Sequence, residues 1–217
     1  MIRAEGICKN YGSLAVLENL DLQVGRGQFC MITGPSGTGK STLLNVLSGL
    51  DRADSGTLRL MGKDTGRLSQ RQISLLRRQH IGFIFQSYNL ISSKNCIENV
   101  ALPLKYNKVK FFHRRNSAMA ALDKIGLADK YYHYPYQLSG GQQQRVAVAR
   151  ALVTQPDILF CDEPTGNLDS HSATLVMDGI KQLCRKGAAV VMITHDKTLL
   201  KEADRVFVLC GGRLQEK

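Results

Sequence analysis

Gly34-Pro35-Ser36-Gly37-Thr38-Gly39-Lys40-Ser41 fits the pattern G-x-x-x-x-G-K-[ST] at every position. Glycines at these spacings let backbone N–H groups curl inward around a phosphate without Cβ clashes. A helix that starts at the end of such a loop adds the positive pole of its dipole. Lys40 then brings a point charge to the β- and γ-phosphates of a nucleotide. The Ser41 hydroxyl is the expected Mg²⁺ ligand, with Thr42 beside it.

A second chemical group follows far downstream. Ile158-Leu159-Phe160-Cys161-Asp162-Glu163 places two carboxylates at the end of an apolar run. Ligands of open α/β sheets bind at the carboxyl ends of their strands. Asp162 is the expected holder of Mg²⁺, through water. Glu163 is the expected base that orients and polarises an attacking water, a role worth roughly 10²–10⁴ in rate.

The elements that position these groups are legible in outline. The first ~30 residues read as short strands, with Gly25 and Gly27 marking a turn. Gln28 to Thr33 reads as a buried strand that runs into the glycine loop, and Ser41 to Leu50 as a helix that stops at Gly49. Ile81 to Phe85, Ile158 to Cys161, Ala189 to Thr194 and Val206 to Leu209 read as further strands. Ala118 to Ile125, Gln143 to Leu152 and Ser172 to Cys184 read as helices. Strands alternating with helices argue for a mostly parallel α/β sheet, and the helical stretch between about 87 and 155 reads as an insertion.

Composition bounds the rest. The chain has 217 residues, 43% of them apolar, enough for one core with a small subdomain. The longest apolar run, Ala188 to Thr194, is strand-sized, far short of the ~20 residues needed to span a bilayer. Met1 to Glu5 has no apolar region behind it, so no signal peptide is expected and the chain is expected in the cytoplasm. The six cysteines lack metal-ligand or redox spacing and are expected as reduced thiols. The net charge of +11 is uneven: residues 51–115 hold thirteen basic and four acidic side chains. Lys105, Lys108, Lys110, Arg114 and Arg115 are the densest part, with Phe111 and Phe112 among them. Such clustering suits lipid headgroups, nucleic acid or an acidic protein face, with a plain solvated surface as the alternative. The aromatic pair favours a peripheral membrane contact.

One further motif narrows the class. Leu138-Ser139-Gly140-Gly141-Gln142, continued by Gln143-Gln144-Arg145-Val146-Ala147, resembles the signature of ATP-binding cassette (ABC) proteins. The resemblance covers residues 2 to about 214. It implies a P-loop NTPase (RecA-like) core with a mostly parallel sheet, an N-terminal antiparallel β subdomain and an inserted α-helical subdomain. Within one domain over 1–217, residues 1–86 and 156–217 would be the nucleotide-binding core and 87–155 the helical signature subdomain.

The resemblance also implies residue roles. Ser139, Gly140, Gly141 and Gln142 would meet the γ-phosphate of ATP held by a second copy, so one chain could not complete its own site. Tyr11 resembles the aromatic residue that stacks on adenine. Gln86 resembles the loop glutamine that contacts Mg²⁺ and water and joins the two subdomains. Gly166-Asn167-Leu168-Asp169 resembles the loop that crosses the dimer interface, with Asp169 as its key residue. His195 resembles the switch histidine that senses the γ-phosphate.

Phe85 to Leu90, Glu98 to Leu104 and Glu163 to Asp169 are similar to the branch of lipoprotein-release, macrolide-export and cell-division ATPases. That branch implies a separate membrane permease and export or outward mechanical work. Ile91 to Ile97 departs from the usual apolar stretch, in a segment that faces the permease in the family. The ending shortly after Arg213 implies no appended regulatory domain. A non-transport regulator, such as a cell-division ATPase, is the alternative. A nucleic-acid cassette is disfavoured, because repair types need coiled-coil insertions and translation types two cassettes, so no nucleic-acid partner is expected. Transported substrate and direction stay open.

Overall fold

The computed structural model describes all 217 residues except Asn167. Asn167, named above in the stretch from Gly166 to Asp169, lies outside the described residues.

The chain opens with two long antiparallel strands, β1 (Ile2–Tyr11) and β2 (Leu14–Val24), rather than several short ones. Then come β3 (Phe29–Thr33), α1 (Lys40–Leu47), β4 (Ser55–Leu60), β5 (Lys63–Asp64), α2 (Gln70–His80) and β6 (Ile81–Ile84). Three helices follow: α3 (Cys96–Tyr106), α4 (Phe111–Lys124) and α5 (Gly140–Leu152). The chain closes with β7 (Ile158–Asp162), α6 (Ser170–Arg185), β8 (Ala189–Ile193), β9 (Arg205–Cys210) and β10 (Arg213–Glu216).

Two sheets result. One is antiparallel, in the order β2-β1-β4-β5. The other has the order β10-β9-β3-β8-β7-β6; its strands are parallel except for β10, which pairs antiparallel with β9.

The alternation of side chains along a strand explains how the large sheet is covered. Cys30, Ile32, Ile158, Phe160, Val191 and Ile193 face one way, into a core shared with α1 and the antiparallel sheet. Phe29, Met31, Leu159, Cys161, Val190 and Met192 face the other way, against α5 and α6. Because both faces are buried, these strands read as unbroken apolar runs. A third core joins α3, α4 and α5. Helix α5 serves two cores: Val148 and Ala151 pack on the sheet side, and Val146 and Ala149 in the helical region.

Several boundaries differ from the sequence expectation. Helix α1 ends at Leu47, and Gly49 takes a left-handed φ of 68° just beyond it. Helix α5 begins at Gly140, not Gln143, so Gly140, Gly141 and Gln142 form its first turn. The strands and helix between residues 55 and 80, and β10, had no sequence expectation. The cysteines are free: Cys30, Cys96, Cys161 and Cys184 are buried, and Cys210 is exposed.

Candidate active site

The parallel strands deliver the predicted chemical residues to one edge of the sheet. In spatial order, β3 ends at the 34–41 loop, β8 at His195, β7 at Asp162 and Glu163, and β6 two residues before Gln86.

The loop's shape depends on glycine. Gly34 has φ 151°, and a Cβ there would sit 2.3 Å from the Leu209 carbonyl oxygen. Gly39 has φ 90°, and its Cβ would strike the Val16 side chain at 2.6 Å. Side chains are therefore excluded where the backbone must curl. Pro35, Ser36 and Gly37 are exposed at the loop's crest. The Thr38 hydroxyl donates to the Pro35 carbonyl at 2.9 Å. Lys40 reaches back into the loop, and its Nζ donates to the carbonyls of Gly34 at 3.0 Å and Pro35 at 2.6 Å. Its charge thus lies inside the curl, at the N-terminus of α1.

Ser41 and Asp162 meet beside the loop. Burial pushes the Asp162 carboxyl above its ordinary range, while the Ser41 hydroxyl and the Lys40 charge pull the other way. One carboxylate and one hydroxyl suit Mg²⁺, which prefers oxygen and keeps several waters and substrate phosphate oxygens in its shell. Among the described residues no group of three or more His, Cys, Asp or Glu gathers as an all-protein cage.

Glu163 takes a left-handed φ of 49°, uncommon for a residue with a side chain. Its backbone N–H donates to the Ile193 carbonyl at 3.1 Å, which ties the turn to the end of β8. Its Oε2 lies 2.9 Å from His195 Nδ1. Glu163 is mostly covered, with 14% side-chain exposure, whereas His195 is 74% exposed. The bond to Glu163 and its charge raise the His195 pKa above the ordinary value.

Tyr11, at the end of β1, is half exposed. Its hydroxyl donates to Asp51 Oδ2 at 2.7 Å, and Lys9 Nζ lies 5.1 Å from its ring centroid. The bond to Asp51 raises the phenol pKa, and Thr42 at the start of α1 opposes that shift. Lys9 in turn pairs with Asp51 at 3.1 Å, so the ring is fixed by a polar cluster.

The signature turn is built as a helix start. Ser139 Oγ accepts from the Gln142 N–H at 3.2 Å, and Gln142 Oε1 accepts from the Ser139 N–H at 3.0 Å. This reciprocal cap leaves the glycine N–H groups of the first turn pointing outward at the positive pole of α5. Among the described residues no hydrogen bond or ion pair joins this turn to the 34–41 loop. Asp169 caps α6: its carboxylate accepts from the Ser172 N–H at 2.9 Å and hydroxyl at 2.7 Å, which holds its pKa low.

Three residues to which the motif reading gave no role of their own, Arg150, Gln144 and Asn99, tie these parts together. Arg150 on α5 donates to the carbonyls of Asn89 at 2.6 Å and Tyr88 at 2.7 Å, both in left-handed conformations just after Gln86. A Cβ on Gly140 would sit 3.1 Å from the Tyr88 hydroxyl, so that ring lies against the signature turn. The loop carrying exposed Gln86 is thereby fastened to the signature helix. Gln144 donates to the Pro164 carbonyl at 3.2 Å, which links α5 to the turn after Glu163. Asn99 is fully buried; its Oδ1 accepts from the Ile91 N–H at 2.8 Å, and its Nδ2 donates to the Lys94 carbonyl at 2.8 Å. A single cation in the apolar run Ala147 to Leu152 was the one sequence signal for Arg150.

A phosphate loop at the end of β3, paired carboxylates at the end of β7 and a helical region inserted between β6 and β7 define a nucleotide-binding P-loop ATPase. The profile of the ABC transporter family matches residues 17–166, and the chain belongs to that family. An uncharacterized ABC transporter ATP-binding protein of Methanocaldococcus jannaschii is 44% identical over 100% of this chain and 98% of its own length. The macrolide export ATP-binding/permease protein MacB of Aggregatibacter actinomycetemcomitans is 47% identical over 92% of this chain. The chain spans 31% of that relative's length, about a third, as it does for other MacB proteins. A dimeric ATP-binding cassette in a post-hydrolysis state, bound to ADP and Pi, superposes with a TM-score of 0.95 at 36% identity, covering 100% of this chain and 98% of that one. The chain is thus an ABC transporter ATP-binding subunit with an ABC ATPase fold.

Proposed function

We propose that this chain hydrolyses ATP in a head-to-tail pair of copies around two Mg-ATP and so drives a separate membrane permease, in export or outward mechanical work. The single observation that carries the catalytic part is Glu163, mostly covered, at the end of β7 and held at 2.9 Å by His195 beside the phosphate loop.

The 34–41 loop and Lys40 bind the phosphates, and Tyr11 holds the base. Ser41, Asp162 and Gln86 would hold Mg²⁺, which would supply charge neutralisation to the phosphates. Lys40 exchanges its two carbonyl contacts for phosphate oxygens. Ser139, Gly140, Gly141 and Gln142 of the second copy recognise the γ-phosphate from the opposite side, and Asp169 lies at the crossing. Glu163 then orients water for in-line attack and receives its proton while the bond from the γ-phosphorus to the ADP oxygen breaks. Lys40 and His195 stabilise charge on the transferred oxygens. Loss of the γ-phosphate removes the bridging contact, and the pair opens. Arg150 couples that opening to the loop of Gln86 and to the 91–97 segment, where the permease docks on the inner face of the membrane.

Support for the partner readings comes from relatives. The MacB proteins are named as joined ATP-binding and permease proteins, and the matched cassette structures are dimeric. Among the described residues no helix is long and apolar enough to cross a membrane, so a permease would be a second chain or a further segment.

Glu163→Gln tests the reading. Phosphate release should fall by at least about 10², ATP binding should persist, and Mg-ATP should convert the variant to a stable dimer in solution scattering. Hydrolysis at the parent rate would remove Glu163 as the base. A variant that never pairs with Mg-ATP would remove the sandwich.

A further inference from the structure

The tip of the helical region carries aromatics that no core absorbs. Phe111 is 74% exposed, Phe112 70% and Tyr106 59%. They flank a sharp connection from α3 to α4, where Lys108 takes a left-handed φ of 59° and Asn107 Nδ2 donates to the Arg78 carbonyl at 3.2 Å. The connection is therefore a fixed knuckle that holds the rings outward.

Charge coincides with these rings. Lys105, Lys108, Lys110, Arg114 and Arg115 fall within the same stretch, and no acidic residue lies between Glu98 and Asp123. The Arg114 guanidinium lies 5.5 Å from the Phe111 ring centroid, so cation and ring share one surface. Helix α4 starts at Phe111 without a side-chain cap and without an acidic residue in its first turn. Its positive pole adds to the cations instead of being offset.

Two protruding phenylalanines ask for an apolar partner, and five cations ask for an anionic one. An acidic peptide meets the charge but leaves both rings in water unless it brings a groove of its own. The headgroup layer of an anionic bilayer meets both demands at once. Beside the knuckle lies a cavity of about 360 Å³ between α3 and α4, whose lining includes Lys94, Ile97, Lys105, Phe111 and Arg114 and one carboxylate, Glu98. Its wall includes part of the 91–97 segment proposed above to meet the permease. The cavity thus runs along α3 from that segment to the knuckle, and the knuckle's orientation toward the bilayer rests on that reading.

We propose that the Lys105–Arg115 knuckle binds anionic phospholipid directly, with Phe111 and Phe112 seated among the headgroups and the five cations on lipid phosphates. The contact would position the ATPase against the membrane independently of its permease.

The experiment is co-sedimentation of the full chain, without any permease, with vesicles of phosphatidylcholine alone or with about a third phosphatidylglycerol. Binding is expected to the anionic vesicles only, and to weaken steeply between about 0.05 and 0.5 M salt. Each charge removed should lower partitioning about five-fold. Lys108→Glu/Lys110→Glu should abolish it, and Phe112→Ser should reduce it about ten-fold. Basal ATPase activity and circular dichroism of these variants should match the parent. Glycerol phosphate at millimolar concentration should not compete, which separates a bilayer from a free headgroup phosphate. No binding to anionic vesicles at low salt, equal binding to neutral ones, or parent-like binding by the charge variant would overturn the proposal. Because no permease is present, failure to bind vesicles would overturn this contact and leave the permease reading to be tested by itself.

Discussion

His195 Nδ1 and Glu163 Oε2 lie 2.9 Å apart across the ends of two neighbouring parallel strands. Strand β7 pairs with β8 so that Asp162 stands opposite Ile193, and Glu163 and His195 follow just past that register point. The Glu163 N–H on the Ile193 carbonyl locks the turn. The pair sets the histidine's protonation: Glu163 stabilises the imidazolium and raises its pKa above the ordinary 6.5.

Glu163→Gln should therefore return the His195 pKa toward its ordinary value, as read by NMR titration of the imidazole. In the parent, the charged pair is fully formed below the unfolded pKa of about 6.5. Its contribution is lost as pH rises through the raised folded value. A His195 titration unchanged by Glu163→Gln would show that the contact is not formed in solution.

Arg150→Ala removes both bonds that hold the Tyr88 and Asn89 carbonyls to α5. The phosphate loop lies on other elements, so ATP affinity should stay within about two-fold while kcat falls at least about ten-fold, the lower end for losing two charged hydrogen bonds. Arg150→Lys should restore only part of kcat, because an ammonium lacks the planar fork. Equal kcat in parent and Arg150→Ala would refute the coupling.

Gly34→Ala places a methyl group 2.3 Å from the Leu209 carbonyl oxygen at a φ of 151°. A loss of about 2–4 kcal/mol in folding stability is expected from strain and overpacking together. Thermal unfolding and fluorescent-nucleotide titration should both register the change. Parent-like values in each would mean the loop has another shape.

Thiol labelling reports the core. Burial raises Cys30 and Cys96 to about 11 and also raises Cys161 and Cys184. The Ser55 hydroxyl lowers Cys8, and Cys210 is exposed. At mildly alkaline pH a native sample should label at Cys210 and Cys8, with the other four reacting only on unfolding. Mass spectrometry of the digest checks the pattern; early labelling of Cys161 would contradict the packing of β7.

Much of the candidate site's layout was legible because its signals are local. The glycine spacing of 34–41 and the apolar run ahead of Asp162 each encode their own geometry within a few residues, whereas Ser139 to Gln142 was singled out by family resemblance and its place as the first turn of α5 was not read. The stretch from 55 to 80 was not legible. Strand β4 pairs with β1 about fifty residues away, with a register shift between Glu5 and Cys8, and nothing local announces that pairing. Helix α2 buries only Ile73 and Leu76, too few for a clear apolar stripe. Asp169 read as an interface residue and also serves as a helix cap, since short acidic side chains do both.

What the amino-acid order determined by itself was the inventory: a glycine loop suited to phosphate, a metal-suited hydroxyl and carboxylate, a candidate base, and apolar runs that demand burial on both faces. Only the tertiary structure decided which of these meet. Adjacency of β7 and β8 brings Glu163 to His195 over 32 residues, and α5 reaches back to Tyr88 and Asn89 through Arg150. The physical reason is that strand order in a parallel sheet is set by how the intervening helices pack across it. That packing sums many weak apolar contacts between distant segments, and no spacing along the chain records it.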